Sequence, residues 1–343
     1  MVASGYGKVV PPKKCFCSAG DVSAGATVTC DGSTKNTSGG PAGGGMDESA
    51  VSLNNGQHSI DLRLLRVAAL GKGSFEFGLR RLSGLGASSV AGKSFNFTQN
   101  ARLTQSGADP TSSAIELTTV DSVVQTFTVA SHTPSTVNYS SQSSTPANIT
   151  GATLARYNLG TENEYFTMTA GDGTVATYSG INSNIATPGQ ITGFTDRNGN
   201  SQALSWTNTN GVVQLTGVTD SYGRTVQYSY YGSQYNYALQ QITDYQGRSV
   251  NFQYDTLGHL VAVVGPSINE APTGGGYPGG TAYVYQYDVN NPRPQRQDDL
   301  IAIWYPNQVQ PYLNTDPTSS GFRTVDVAAV YAGAQPREQM VYG

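Results

Sequence analysis

The chain has 343 residues, of which only 12% are Asp, Glu, Lys or Arg, and Gly (41), Tyr (21), Ser, Thr, Asn and Gln fill the balance. A formal net charge of −4 and a pI near 5.3 give no long-range attraction for a phosphate backbone or anionic lipid, and no run of 18 or more apolar residues is available to span a bilayer. Neither nucleic-acid binding nor a membrane span is expected, and a residue set that favours pleated sheet and tight turns over helix predicts an all-β protein.

Residues 1–46 read as a Cys-containing, Gly/Ser/Thr-rich arm or linker. The opening Met1-Val2-Ala3-Ser4 lacks the charged and apolar regions of a signal peptide, so export is expected to use an upstream signal or a machine that needs none. Cys15, Cys17 and Cys30 are an odd number, which leaves three options open: one intrachain disulfide, a disulfide-linked oligomer, or free thiols. A Cys₃ zinc site lacks a nearby His and the usual Cys-x₂₋₄-Cys spacing, so no metal is expected. The run Gly39-Gly40-Pro41-Ala42-Gly43-Gly44-Gly45 has too little apolar surface to fold alone and is expected to order only against a neighbour.

Residues 47–189 form a β-rich region. Ile60, Leu62 and Leu64 alternate with Asp61 and Arg63, and Phe75, Phe77 and Leu79 alternate with Glu76 and Gly78, which predicts two strands joined by a loop at Gly71-Lys72-Gly73. Short alternating runs follow at Phe95-Asn96-Phe97, Ile115-Glu116-Leu117 and Val123 to Val129. Tyr165 to Thr169 and Val175 to Tyr178, flanking Gly171-Asp172-Gly173, predict a hairpin.

Residues 190–343 contain a repeat. Asp196, Asp220 and Asp244 are each 24 apart, as are Gly199, Gly223 and Gly247; Asn200, Arg224 and Arg248; Trp206, Tyr230 and Tyr254; and Ile191, Leu215 and Leu239. Each Asp is predicted to accept backbone N–H bonds in a tight turn, and each Gly to take positive φ there. On the outgoing strand Val226, Tyr228 and Tyr230 share one face, and Thr225, Gln227 and Ser229 the other. One packed and one wet face suit an antiparallel sheet. Leu215 and Val218 are three apart and cannot share a face of a regular strand, which predicts a bulge or a strand end between them. A Gly/Pro-rich insertion near 268–282 interrupts the array before Tyr283-Val284-Tyr285-Gln286-Tyr287-Asp288 resumes it.

These motifs, Asp220-x-x-Gly223-Arg224-Thr225-Val226-x-Tyr228-x-Tyr230 and Asp244-x-x-Gly247-Arg248-Ser249-Val250-x-Phe252-x-Tyr254-Asp255-x-x-Gly258-x-Leu260, resemble the YD-repeat family of bacterial RHS proteins, toxin-complex shell subunits and teneurins. The strong part covers about residues 190–305, and Val51 to Leu82 is more weakly similar to the segment preceding such arrays. The resemblance implies repeated hairpins joined into an extended, curved or spiralling sheet, and a structural shell or scaffold, secreted or at the cell surface.

Nothing in the sequence assembles catalytic chemistry. His58, His132 and His259 are scattered, and no nucleophile elbow, P-loop, dinucleotide fingerprint or His-Glu-x-x-His is present. A non-catalytic chain without cofactors is therefore expected. Arg224 and Arg248 are expected to pair with an Asp of a neighbouring hairpin. Tyr231, Tyr235, Tyr237 and Tyr277, in irregular loops, are the candidates for stacking on sugar rings, which makes a glycan-binding adhesin the alternative. A few hairpins end in unpaired strand edges, so self-association, as in a filament-forming surface subunit, or pairing with further repeats of a longer parent is also expected.

Overall fold

A computed structural model describes residues 14–16, 27–28, 47–52, 58–68, 74–82, 88–89, 91–93, 95–97, 99–118, 124–141, 152–268 and 276–341. The chain divides into two compact units, one of residues 37–49 and 59–251, the other of 1–36, 50–58 and 252–343. The division falls inside the strand Ser249–Tyr254. The described residues are mostly antiparallel β-strands linked as repeated hairpins, the all-β class expected from composition and repeat.

In the larger unit, strands His58–Val67, Phe75–Leu82 and Phe95–Phe97 pair antiparallel. Ile60, Leu62, Phe75, Phe77 and Leu79 are buried as their alternation requires, but the register slips between Arg63 and Leu65, and Leu64 and Leu65 are both turned inward. Phe77 and Phe97 meet Tyr228 of the repeat array at ring-centroid distances of 6.1 and 6.5 Å. This small sheet thus covers the aromatic face of a repeat strand.

A second run of strands closes on itself. Arg102–Gln105, Ile115–Thr118, Val124–His132, Thr136–Ser141, Thr153–Tyr157, Tyr165–Thr169, Val175–Ser179 and Ile191–Thr195 pair each with the next, all antiparallel. The segment entering the last strand then returns to the first: Gln190 bridges Arg102, and Leu103 N–H donates to Gly189 O at 2.8 Å. Gly189 has φ +69°, and a Cβ there would collide with the Leu103 carbonyl, so this closure requires glycine. Eight strands enclose a space that side chains alone can fill; Leu103, Ile115, Leu117, Phe127, Val137, Tyr139, Leu154, Phe166 and Tyr178 are buried. At Ile191–Thr195 the sheet forks, because Gly193, Phe194 and Thr195 pair with Ala203, Gln202 and Ser201 to start the open array.

That array runs through Ser201–Thr209, Val212–Asp220, Thr225–Tyr230, Leu239–Thr243 and Ser249–Tyr254. The conflict between Leu215 and Val218 is resolved by a bulge. Ser205 faces Gly217 while Trp206 faces Leu215, so Thr216 is extra and points to solvent. The same slip recurs at Thr192, Gln240 and, in the smaller unit, Ile301. It belongs to the repeat and keeps two apolar residues inward on a strand whose simple alternation would expose one of them.

In the smaller unit Leu260–Val264, Ala282–Tyr287, Leu300–Trp304 and Glu338–Val341 follow one another. Residues 305–337 depart from the expected hairpin array. Helices Pro306–Val309 and Val327–Gly333, with a 3-10 turn at Gln310–Tyr312 and irregular chain between, lie on Ala262, Val264, Ala282, Val284, Ala302 and Trp304 through Val309, Leu313, Val325 and Val330. Pro306 starts the first helix, where a missing N–H costs nothing, and Asp326 caps the second by accepting from Ala329 N at 3.0 Å. The outer edge of Glu338–Val341 is not open as expected: Lys14–Phe16 pairs with it in parallel and takes up its N–H and C=O groups.

Candidate functional site

The repeating turn is the most regular polar arrangement in the structure. In the Asp220 turn, Asp220 N–H donates to Arg224 O and Gly223 N–H to Asp220 O, both at 3.0 Å. Asp220 Oδ1 accepts from Tyr222 N and Arg224 N at 2.9 and 3.0 Å. Gly223 takes φ +76°, which curls the chain so that residue 224 lies beside residue 220. The turns at Asp196, Asp244 and Asp255 repeat this geometry, with positive φ at Gly199, Gly247 and Gly258.

The same curl corrects the expected partner of the arginines. Arg224 Nε lies 2.7 Å from Asp220 Oδ2 of its own turn, and Arg248 Nε 2.7 Å from Asp244 Oδ2. A neighbouring hairpin supplies neither carboxylate, because the glycine brings residue i+4 back onto residue i. Asn200 makes the equivalent contact to Asp196, and His259 to Asp255. Burial pulls the Asp220 carboxyl upward, but the Arg224 side chain and the N–H groups of Arg224 and Tyr222 outweigh it and hold the group below the usual carboxylate range.

The arginines also reach outward. Arg224 Nη2 donates to Ala68 O and Arg248 Nη2 to Arg66 O, at 3.0 and 3.1 Å. The Arg224 guanidinium lies 5.4 Å from the Tyr222 ring and 4.9 Å from that of Tyr245, rings 61% and 44% exposed, and Nη1 donates to Tyr245 Oη at 3.3 Å. The Tyr222 contact stays within the turn, whereas the Tyr245 contact ties one hairpin to the next and the Ala68 and Arg66 contacts tie the array to the small sheet.

At the opposite strand ends, the aromatics facing the bulges at Thr216, Gln240 and Ile301 each close a second contact. Trp206 Nε1 donates to Ile191 O at 2.6 Å, Tyr230 Oη to Leu215 O at 2.7 Å, and Tyr287 Oη to Leu260 O at 2.9 Å. A buried backbone carbonyl needs a donor, and Trp or Tyr supplies one from an apolar body where Phe would not. Burial pushes the Tyr230 phenol far above its ordinary range.

The loop tyrosines divide. Tyr231 and Tyr235 stack obliquely at 4.9 Å, and Tyr237, at φ +56°, accepts a hydrogen bond from Asn210 Nδ2 at 2.6 Å. These three share one loop, whereas Tyr277 belongs to the other unit, where its hydroxyl meets Asn307 Oδ1. Cys17 and Cys30 lie outside the described residues, as do most of the 1–46 arm and Gly71-Lys72-Gly73, and of Cys15 only the strand backbone is described.

Two buried polar groupings were not anticipated. Glu164 accepts from Arg156 Nη2 at 2.9 Å and from the N–H groups of Gly160 and Ile181 at 2.8 Å, while Arg156 Nη1 donates to Gln105. Burial raises the Glu164 carboxyl, and these donors more than reverse it. His259, 1% exposed, lies between Asp255 and Asp298. Asp255 sits within the quoted motif, but Asp298 is 39 residues from His259, so no local spacing pointed to it. Among the described residues no cluster of His, Cys, Asp and Glu could hold a metal, and no helix is long and apolar enough to cross a membrane.

No family model matches the chain, and no curated protein matches it. Among solved structures it is similar to a chain of the TcdB2-TccC3-TEV crystal structure, with a TM-score of 0.50 and 11% identity over 74% of this chain and 17% of that one. A chain of the TcdB2-TccC3-Cdc42 structure aligns at a TM-score of 0.44 and 9% identity, over 72% of this chain and 16% of that one. The first likeness is one of fold, and this chain spans only a small part of the length of either.

Proposed function

We propose that the chain is a non-catalytic shell or scaffold segment of a YD-repeat protein, acting outside the cell or on its surface. The observation that carries this reading is that the recurring Asp, Gly, Arg and Tyr/Trp side chains are spent on turns, bulges and links between hairpins. The fold shared with the TcdB2-TccC3-TEV chain supports it. Its partners are further repeats of a longer parent or copies of itself, in a filament or another assembly. Light scattering and negative-stain microscopy of the purified chain test the self-assembly part: ring, shell or filament particles are expected, and a stable monomer at all concentrations overturns it.

The exposed Tyr235 ring beside Tyr231 favours glycan binding as a second reading. A glycan array comparing wild type with Tyr235→Ala discriminates. Binding that Tyr235→Ala abolishes supports an adhesin; no binding, or binding that survives, removes that reading.

A further inference from the structure

The residue after the turn glycine has two contacts in the Asp220 turn. Arg224 pairs back to Asp220 and forward to Tyr245 on the turn of the next hairpin. In the Asp255 turn His259 holds this place and does the same with different chemistry. Its Nδ1 lies 2.7 Å from Asp255 Oδ2, and its Nε2 lies 2.7 Å from Asp298 Oδ1, in the loop that joins Ala282–Tyr287 to Leu300–Trp304. The ring stacks on Tyr287 at 4.5 Å and 18°. An ionised carboxylate only accepts hydrogen bonds, so both ring nitrogens can donate at once only when the imidazole carries its second proton.

We propose that His259 is a proton-operated clamp: as imidazolium it ties the Asp255 turn to the 288–299 loop of the next hairpin, and on losing a proton it lets go of Asp298. Neutral imidazole leaves one nitrogen lone pair facing a carboxylate. The Asp298 side yields, because its side chain is the more exposed of the two, 37% against 28%, so water can more readily replace the lost donor there.

The groups packed around the ring fit this role. Asp255 faces it from its own turn, Asp298 from the loop and Tyr287 from the underlying strand, with the Tyr287 hydroxyl committed to Leu260 O. Tyr331, from the covering helix, donates to Tyr285 O, and its phenol is pushed upward by burial and then by the Asp255 charge. The loop also carries Asp288, Arg293, Arg296 and Asp299. Burial raises the Asp255 carboxyl, but the His259 side chain and backbone N–H outweigh it, so the carboxylate persists into mild acid. The clamp is complete between the acid titration of Asp255 and the loss of the histidine proton, which a reference imidazole gives up at about pH 6.5. The Arg224 link keeps its charge throughout.

Hydrogen exchange of the full chain at about pH 5.5 and about pH 8.5, corrected for intrinsic rates, reads the two links side by side. Protection of peptides covering 255–260 and 288–299 is expected to fall with rising pH, while that of 220–224 stays level. His259→Arg should make the clamp insensitive to pH, and Asp298→Asn should remove most of the response. Nitrogen NMR of His259 in the wild-type chain gives an answer even if a variant fails to fold. Two protonated ring nitrogens in mild acid and one above neutrality are expected. A ring that stays neutral, or stays charged, across this range overturns the proposal, as does an unchanged response in folded Asp298→Asn.

Discussion

The strands Thr225–Tyr230 and Ala282–Tyr287 occupy equivalent places in the repeat, yet they are buried differently. Val226, Tyr228 and Tyr230 correspond to Tyr283, Tyr285 and Tyr287, and five of the six lie in packed surroundings, with Tyr230 half-buried. On the other face Gln227 is exposed, whereas Val284, its counterpart, is fully buried beneath the helical segment. The repeat dictates one face of the sheet. What lies on the second face is decided by whichever segment folds over it, and the residue at each site is chosen to suit.

The sharpest way to break this comparison is to truncate the covered face. Trp304 is 2% exposed and donates from Nε1 to Ala334 O; Thr243 holds the same place in the uncovered array. Trp304→Ala is expected to destabilise by about 3–5 kcal/mol and Thr243→Ala by less than about 1 kcal/mol, measured by chemical denaturation. Equal losses would mean that the helical segment does not pack as described.

Turn substitutions should act alike in both regions, because the turns share one geometry. Gly223 at φ +76° and Gly258 at φ +87° have nothing within 4 Å of a built Cβ, so the cost of a side chain there is conformational. Valine at either site should cost about 1–3 kcal/mol, and asparagine, which tolerates the left-handed region, clearly less. A thermal midpoint unchanged by Gly223→Val contradicts the turn geometry.

Acid should also treat the turns alike. The carboxyls of Asp220 and Asp255 are both held below their ordinary range in the folded chain. Each therefore adds stability above the unfolded-state value of about 3.9, and that stability is lost as pH falls through the lower folded value. Denaturation midpoints are expected to drop from about pH 4 downward, and Asp220→Asn should flatten part of that fall. The smallest effect belongs to the wet face, where Gln227→Ala should stay within about 0.5 kcal/mol.

The register of the repeat, the Asp and Gly turns and the inward aromatic column were legible because each is a local demand: a positive φ, an Asx acceptor, a period of two. The need for a bulge was legible in the Leu215/Val218 conflict, but its partner was not, since the Tyr230 bond to Leu215 O crosses to the preceding strand. The Val327–Gly333 helix was missed because seven residues give too little period to stand out from a strand-rich background. The Arg224 contact was misassigned to a neighbouring hairpin because spacing along the chain does not show how far a glycine at positive φ folds residue i+4 back.

By itself the sequence determined the all-β class, the turn chemistry and which face of each repeat strand points inward, because those follow from backbone sterics and side-chain alternation within a few residues. Only the tertiary structure decided that the strands of 102–195 close into a ring through Gly189, that a helical segment covers Val284 and Trp304, and that His259 meets Asp298. Each of these joins residues far apart along the chain, and the free energy that selects them comes from surfaces that exist only once the hairpins have been assembled.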